Sequence, residues 1–173
     1  NGTRNALDPD AIDQAATLLQ RARQVFCFGQ GGSSLLASDI WARFATISTK
    51  FHTSGDSHMQ AIAASLMGPE DVVLFVSYSG ATRDMMDTLR LAKDNGAKVI
   101  LLTHYDDAPG TALADVVLLC GAKESPLDSG SMPVKLAVLF VANVLVLRYT
   151  LDNQELVSLS RERTTKALGN KLL

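Results

Sequence analysis

The sequence is poor in cysteine and has no surplus of charge of either sign. Its 173 residues include only Cys27 and Cys120, and neither belongs to a CxxC or histidine-rich cluster. We therefore expect no metal site and a reducing, cytoplasmic location. The formal net charge of -2 gives no general attraction to polyanions, so this chain by itself is a poor candidate for binding DNA or an anionic membrane.

Membrane signals are also weak. The first ten residues, NGTRNALDPD, lack the apolar core of a signal peptide. The longest apolar stretch, residues 132–149, approaches the roughly 20 residues that span a bilayer. Pro133, Lys135 and Asn143 interrupt it. We therefore predict a buried core or interface helix and no membrane partner.

The composition, with 47% hydrophobic and 20% charged residues, is ordinary for one globular domain. Residues 1–7 are interpreted as the remnant of a linker and residues 8–173 as the domain. Short, continuously apolar segments alternate with helical patterns, which indicates a parallel sheet covered on both faces. We predict an α/β fold, a three-layer α-β-α sandwich around a five-stranded parallel sheet of the flavodoxin-like or Rossmann-like kind. The predicted strands are residues 25–28, a short strand near Phe51, and DVVLFV, KVILLT and DVVLLC; the predicted helices begin at Asp8 and cover about 34–47, 59–67, 82–95, 131–150 and 151–168.

Polar, glycine-rich segments follow two of the predicted strands. The first loop, residues 29–34, is GQGGSS, and the second loop, residues 77–82, is SYSGAT. In open parallel sheets, ligands bind beyond the carboxyl ends of the strands, where the next helices supply free N–H donors and partial positive charge. Hydroxyl groups of Ser33, Ser77, Ser79 and Thr82 add donors that fit phosphate oxygens. We therefore predict that a small phosphorylated molecule binds between the two loops.

The first loop alone allows two other interpretations. One is a plain glycine turn, and the other is a dinucleotide fingerprint. Gly29 and Gly31 fit G-x-G-x-x-G, but the third position is Ser34 and no acidic residue ends the second strand. A P-loop is excluded because no Gly-Lys-Ser/Thr follows. We therefore predict no cofactor.

Taken together, the two loops resemble a known family. VSYSGATRD after an apolar strand, preceded by GQGGSS, closely resembles the S-x-S-G-x-T signature of sugar isomerase (SIS) domains. The resemblance covers residues 7–150. Within that superfamily, SYSG and the segment GDSHMQ are most similar to the C-terminal effector domain of RpiR-family transcriptional regulators. In those regulators an N-terminal helix-turn-helix domain binds DNA and the SIS domain senses a phosphosugar.

The resemblance implies site residues and partners. It assigns ligand binding to Gly31 and Ser33 of the first loop and to Ser77, Tyr78, Ser79, Gly80 and Thr82 of the second loop. Thr82 has an alternative role, because a threonine that opens a helix is an ordinary N-cap. Glu124 is expected either near the sugar hydroxyls or as a solvated loop residue. His58 is expected near the ligand, in some relatives across a dimer interface, or in a structural role.

Three functions remain open at this point. The first is a cytoplasmic sensor that binds a sugar phosphate without turnover and forms a homodimer or homotetramer. It would contact DNA only through a helix-turn-helix domain, which we do not find in this chain. The second is an aldose-ketose isomerase, for which Glu124 and His58 are the only plausible acid-base pair. The third is a dimerisation module with an empty pocket.

Overall fold

The computed structural model describes residues 7–121, 132–169 and 171. Its centre is a parallel sheet in the order β2-β1-β3-β4-β5, which confirms the predicted five-stranded α/β fold. All four neighbouring strand pairs are parallel. The strands are β1 (Gln24–Gly29), β2 (Phe51–Ser54), β3 (Asp71–Val76), β4 (Lys98–Thr103) and β5 (Val116–Leu119).

Helices cover both faces of the sheet and complete the predicted three layers. They are α1 (Pro9–Arg21), α2 (Gly32–Ala45), α3 (Ser57–Leu66), α4 (Arg83–Asp94), α5 (Met132–Asp152) and α6 (Gln154–Gly169). Because side chains alternate across a strand, β3 contributes side chains to two hydrophobic cores, one on each face of the sheet. Leu74 and Val76 pack with α1, α2 and α5 on one face, whereas Val73 and Phe75 pack with α3 and α4 on the other.

Two predictions at the end of the chain need correction. The final helix was predicted from residue 151, but α5 continues to Asp152 and α6 begins at Gln154. The predicted amphipathic face of that helix is also nearly absent, because α6 buries only Val157. One contact between α6 and the rest of the domain is a hydrogen bond from the hydroxyl of Ser160 to the carbonyl of Ile47, at 2.7 Å.

A short 3-10 helix, Pro109–Leu113, has no counterpart among the elements expected from the sequence.

By length and composition alone, helix α5 is long and apolar enough to cross a membrane. Core helices of soluble proteins often have the same length and composition. One face of α5 packs on the sheet and α1, as the sequence interpretation expected. The buried residues on that face are Val134, Ala137, Val138, Val141, Ala142, Leu145 and Tyr149.

The two cysteines are buried, as their positions in apolar segments indicated. Burial disfavours the charged thiolate and raises the pKa of both Cys27 and Cys120 to about 12. Both thiols are therefore protonated at neutral pH.

Candidate functional site

The two predicted loops begin side by side at the carboxyl edge of the sheet. Strands β1 and β3 are neighbours, and Gly29 at the end of β1 pairs with Val76 at the end of β3. The chain leaves β1 toward β2 at one edge and leaves β3 toward β4 in the opposite direction. Connections that diverge in this way open a crevice above the sheet, the usual ligand position in this class of fold.

A cavity of about 250 Å³ lies in that crevice. Residues from the first loop, the second loop and the start of α5 enclose it. Five of the predicted site residues line it, namely Ser33, Ser77, Tyr78, Ser79 and Thr82. The other lining residues are Gln30, Gly32, Leu36, Phe75, Val76, Val134, Lys135 and Val138.

Thr82 stands at the N-cap position of α4 but does not cap the helix with its side chain. Its hydroxyl donates instead to Oε1 of Gln30 at 3.3 Å, a bond between the two loops. Thr82 is therefore the N-cap residue of α4, as the alternative expected, but without a capping bond from its side chain. Among the described residues, no acceptor is hydrogen-bonded to the N–H groups of Arg83, Asp84 or Met85. The positive end of α4 is thus open at the cavity.

The first loop needs glycine at two places. Gly31, the N-cap of α2, has a φ of 55° and a ψ of -131°, a combination that L residues rarely adopt. A Cβ on Gly29 would lie 2.5 Å from the carbonyl oxygen of Ser33. These positions fold the loop tightly over the end of β1 and begin α2 without a side-chain cap.

The second loop is held by a bond within itself. The N–H of Gly80 donates to Oγ of Ser77 at 3.1 Å, and Gly80 has a φ of 60°. The Ser77 hydroxyl accepts in this bond, so its own proton is available to a ligand oxygen. Ser77 is buried, whereas Ser79 is exposed toward the cavity opening. The two hydroxyls therefore sit at different depths of the same pocket.

Gln60, in the quoted segment GDSHMQ, was not predicted as a site residue, yet it braces the first loop. Its buried Nε2 donates to the carbonyl of Gly29 at 2.9 Å and to that of Ser54 at 2.7 Å. Its Oε1 accepts a longer bond, 3.4 Å, from Nε2 of Gln30. The signal that sequence reasoning passed over was an uncharged polar residue on an inward-facing helical position.

Lys135 is one of the lining residues that the sequence interpretation did not assign. It lies in the first turn of α5 and is the one basic side chain among the described residues that line the cavity. In the sequence, Lys135 stands out only as an interruption of an apolar stretch. A lone lysine near the start of such a helix is the signal that was available.

The remaining predicted residues are placed differently. Gly31 and Gly80 shape the loops without lining the cavity. His58 is an exposed residue of α3 and does not line the cavity. Glu124 lies outside the described residues. Among the residues that the structure describes, no cluster of three His, Cys, Asp or Glu side chains is arranged to hold a metal ion.

The chain is similar to known proteins in both sequence and structure. The family model "SIS domain" matches residues 18–148. The HTH-type transcriptional regulator RpiR of Escherichia coli strain K12 is 32% identical over 155 residues, which are 90% of this chain and 52% of the regulator. The chain thus spans about half the length of that relative.

Solved structures extend the similarity. The NanR protein of Vibrio vulnificus, complexed with ManNAc-6P, superposes with a TM-score of 0.92 at 25% identity, covering 98% of this chain and 64% of NanR. The sugar isomerase domain of an RpiR transcription factor from Sphaerobacter thermophilus has the same fold, with a TM-score of 0.84 at 22% identity, covering 95% of this chain and 90% of that one. With the family model matching most of its length, the chain belongs to the SIS domain family.

Proposed function

We propose that this chain is the effector domain of a bacterial RpiR-type transcriptional regulator and binds a sugar phosphate without turnover. The observation that supports this most directly is the convergence of two helix N-termini, neither capped by a side chain, on one hydroxyl-lined cavity. Uncapped N-termini bind anions because their free N–H groups and partial positive charge face the ligand. The similarity to regulators in sequence and to NanR in structure supports the same class of ligand.

In this proposal the phosphate lies between the loops. The hydroxyls of Ser33, Ser77, Ser79 and Thr82 and the first turn of α4 donate to its oxygens. Each charge-assisted hydrogen bond of this kind contributes about 1.5–3 kcal/mol. Thr82 gives up its 3.3 Å bond to Gln30 in exchange, because one hydroxyl proton serves one acceptor well.

The sugar then extends toward α5. Val134 and Val138 offer an apolar wall, while the ammonium group of Lys135 offers a cation for a ring hydroxyl, an amide oxygen or the phosphate itself. For Glu124, which precedes α5 in the sequence, the proposal includes contacts with the sugar hydroxyls, as the family resemblance implies. Phosphate contacts set affinity in this arrangement, and the α5 side sets the choice of sugar.

The side chains that line the cavity favour binding without turnover over isomerisation. An isomerase needs a base that moves a proton between adjacent carbons. Among the described residues that line the cavity there is no carboxylate and no imidazole. Glu124 and His58 remain the candidate pair that the sequence indicates, and His58, which does not line the cavity, would then have to come from a second subunit.

We also propose that the domain self-associates, as a homodimer or homotetramer, in the cytoplasm. The outward face of α5 carries a line of exposed apolar residues, Met132, Leu136, Phe140, Leu147 and Leu151. A second exposed apolar group on α3 consists of Met59, Ile62 and Leu66, next to His58. Contiguous exposed apolar patches commonly mark interfaces. DNA contacts would belong to a separate helix-turn-helix domain of the regulator.

Thermal unfolding in the presence of hexose, pentose, amino-sugar and 2-keto acid phosphates tests the proposal. At least one phosphorylated compound, and not its unphosphorylated form, should raise the melting temperature. Replacing both serines of the second loop (Ser77→Ala with Ser79→Ala) should abolish that shift, whereas Ser65→Ala with Ser158→Ala, two serines on α3 and α6, should preserve it. A full shift in the first variant would reject the site.

A coupled isomerase assay on each stabilising compound separates the sensor from the enzyme. The expected result is no product above the uncatalysed rate. Turnover that is lost in Glu124→Gln would instead establish the isomerase. The absence of any stabilising compound would leave the dimerisation module as the better account.

A further inference from the structure

We propose that Thr103, the last residue of β4, is a positioning residue that turns the backbone of the second loop toward the phosphate. The inference rests on the proposed function and concerns the same site. Thr103 does not line the cavity and does not touch the ligand in this arrangement. It acts through the peptide group that joins Tyr78 to Ser79.

The carbonyl oxygen of Tyr78 is fixed by two donors from the end of β4. The hydroxyl of Thr103 donates to it at 3.0 Å, and the backbone N–H of His104 donates at 3.1 Å. Thr103 is only 1% exposed, so water does not compete for this bond. Both acceptor positions of one carbonyl oxygen are therefore occupied on the same side.

This arrangement determines the direction of the next N–H group. The C=O and N–H of a trans peptide point in opposite directions, and no cis peptide bond is found among the described residues. Strand β3 lies between β1 and β4. With the carbonyl of Tyr78 held toward β4, the N–H of Ser79 points toward β1, the side on which the cavity lies. No acceptor among the described residues is hydrogen-bonded to it.

A second contact holds the same loop from the same side. The carbonyl of Gly80 accepts a hydrogen bond of 2.8 Å from the N–H of Gly110 in the 3-10 helix. A Cβ on Gly80 would lie 2.9 Å from Oγ1 of Thr103 and 2.7 Å from Cβ of Ala108. The loop therefore rests directly on Thr103, and its carbonyls are kept away from an incoming anion.

Removal of the Thr103 hydroxyl leaves the Tyr78 carbonyl, among the described residues, with one donor in place of two. The peptide is then less constrained, and conformations that present a carbonyl oxygen to the phosphate become accessible. An oxygen lone pair facing a dianion is repulsive, whereas an N–H is attractive. The predicted effect is weaker phosphate binding with an intact fold.

The test is an NMR titration of the full chain with inorganic phosphate, followed through backbone amide signals. In the wild type, the amide proton of Ser79 should move downfield on saturation. In Thr103→Val, which keeps the shape of the side chain, the dissociation constant should rise about tenfold and the Ser79 shift should shrink. Thr103→Ser, which restores the hydroxyl, should return both values to within about threefold of the wild type.

Thr53→Val is the matched control. Its hydroxyl also donates to a strand carbonyl, that of Cys27 at 2.9 Å, but on the other side of the first loop. It should bind phosphate as the wild type does. Equal binding by Thr103→Val and the wild type would overturn the positioning role alone, whereas no titration of the wild type would overturn the proposed function with it. If Thr103→Val fails to fold, a Ser79 amide that stays unmoved in saturated wild type also overturns the inference.

Discussion

Helices α1 and α3 begin away from the cavity, and each starts at an aspartate whose carboxylate binds the backbone of the first turn. Asp8 accepts from the N–H of Asp10 at 2.9 Å, and Asp56 accepts from the N–H of Met59 at 2.8 Å. Helices α2 and α4 begin at the cavity, at Gly31 and Thr82, without a side-chain cap. The same chain therefore caps its helix starts with a carboxylate at α1 and α3 and leaves them without a side-chain cap at α2 and α4, where a ligand is proposed.

The presence or absence of a side-chain cap affects the stability of the domain. A capping residue stabilises a helix by about 1 kcal/mol, so each uncapped start gives up stability that the chain obtains elsewhere. A bound phosphate would supply the missing acceptor for the first turn of α4. The domain should accordingly be more stable with its ligand than without it.

The largest expected effect comes from giving α4 the kind of cap that α1 and α3 have. Thr82→Asp places a carboxylate at the N-cap, where it should raise the free energy of unfolding by about 0.5–1 kcal/mol. The same charge repels a dianion about 4 Å away by several kcal/mol at an effective dielectric of about 20. Phosphate binding, measured by calorimetry, should weaken at least about 100-fold.

Thr82→Asn is the control for this substitution, since it offers a cap of the same size without charge. It should bind phosphate more tightly than Thr82→Asp. If the two variants bind equally, the loss comes from the missing hydroxyl and not from electrostatics.

A smaller effect is expected at the start of α2. Gly31→Ala forces a side chain into the conformation with a φ of 55° and a ψ of -131°, although the added Cβ would meet no atom within 4 Å. The cost is therefore backbone strain, about 1–3 kcal/mol of unfolding free energy, measurable by urea denaturation. Gly32, the next residue, has no positive φ, and a Cβ added to it would meet no atom within 4 Å. Gly32→Ala should therefore leave the free energy of unfolding unchanged or raise it slightly. Equal stabilities for the two variants would show that α2 does not require glycine at its start.

The smallest effect is expected away from the cavity. Asp8→Ala removes the cap of α1 and should lower the free energy of unfolding by about 1 kcal/mol. Phosphate affinity should stay within about twofold of the wild type, because α1 contributes nothing to the cavity wall. A large loss of affinity in this variant would mean that the two groups of helices are not independent.

The sheet and most helices could be predicted because their signals are local. Continuous apolar segments such as DVVLFV identify buried strands, and Asp8 with Pro9 identifies a helix start. The 3-10 helix Pro109–Leu113 was missed because its proline and glycine resemble an ordinary loop. The start of α2 at Gly32, rather than near residue 34, was missed for the same reason.

The two loops of the site could be predicted from the sequence, but the hydrogen bonds that join them to each other and to other elements could not. Ser33, Ser79 and Thr82 follow from motif and strand position, whereas the bond between Gln30 and Thr82 joins residues 52 positions apart. Gln60 and Lys135 likewise reach the site from elements whose packing no local pattern reveals. Bonds of that kind depend on how the layers stack, and the sequence signals only that each element exists.

The protonated thiols of Cys27 and Cys120 have a practical consequence for measuring these effects. Thiol-directed dyes react with the thiolate, and a thiol with a pKa of about 12 offers almost none of it at neutral pH. A cysteine introduced at an exposed position beside the second loop, such as Tyr105→Cys, would then be the one rapidly labelled site, with both native cysteines left in place. A fluorophore attached there would report ligand arrival in real time, which would turn the domain into an optical sensor of its own effector.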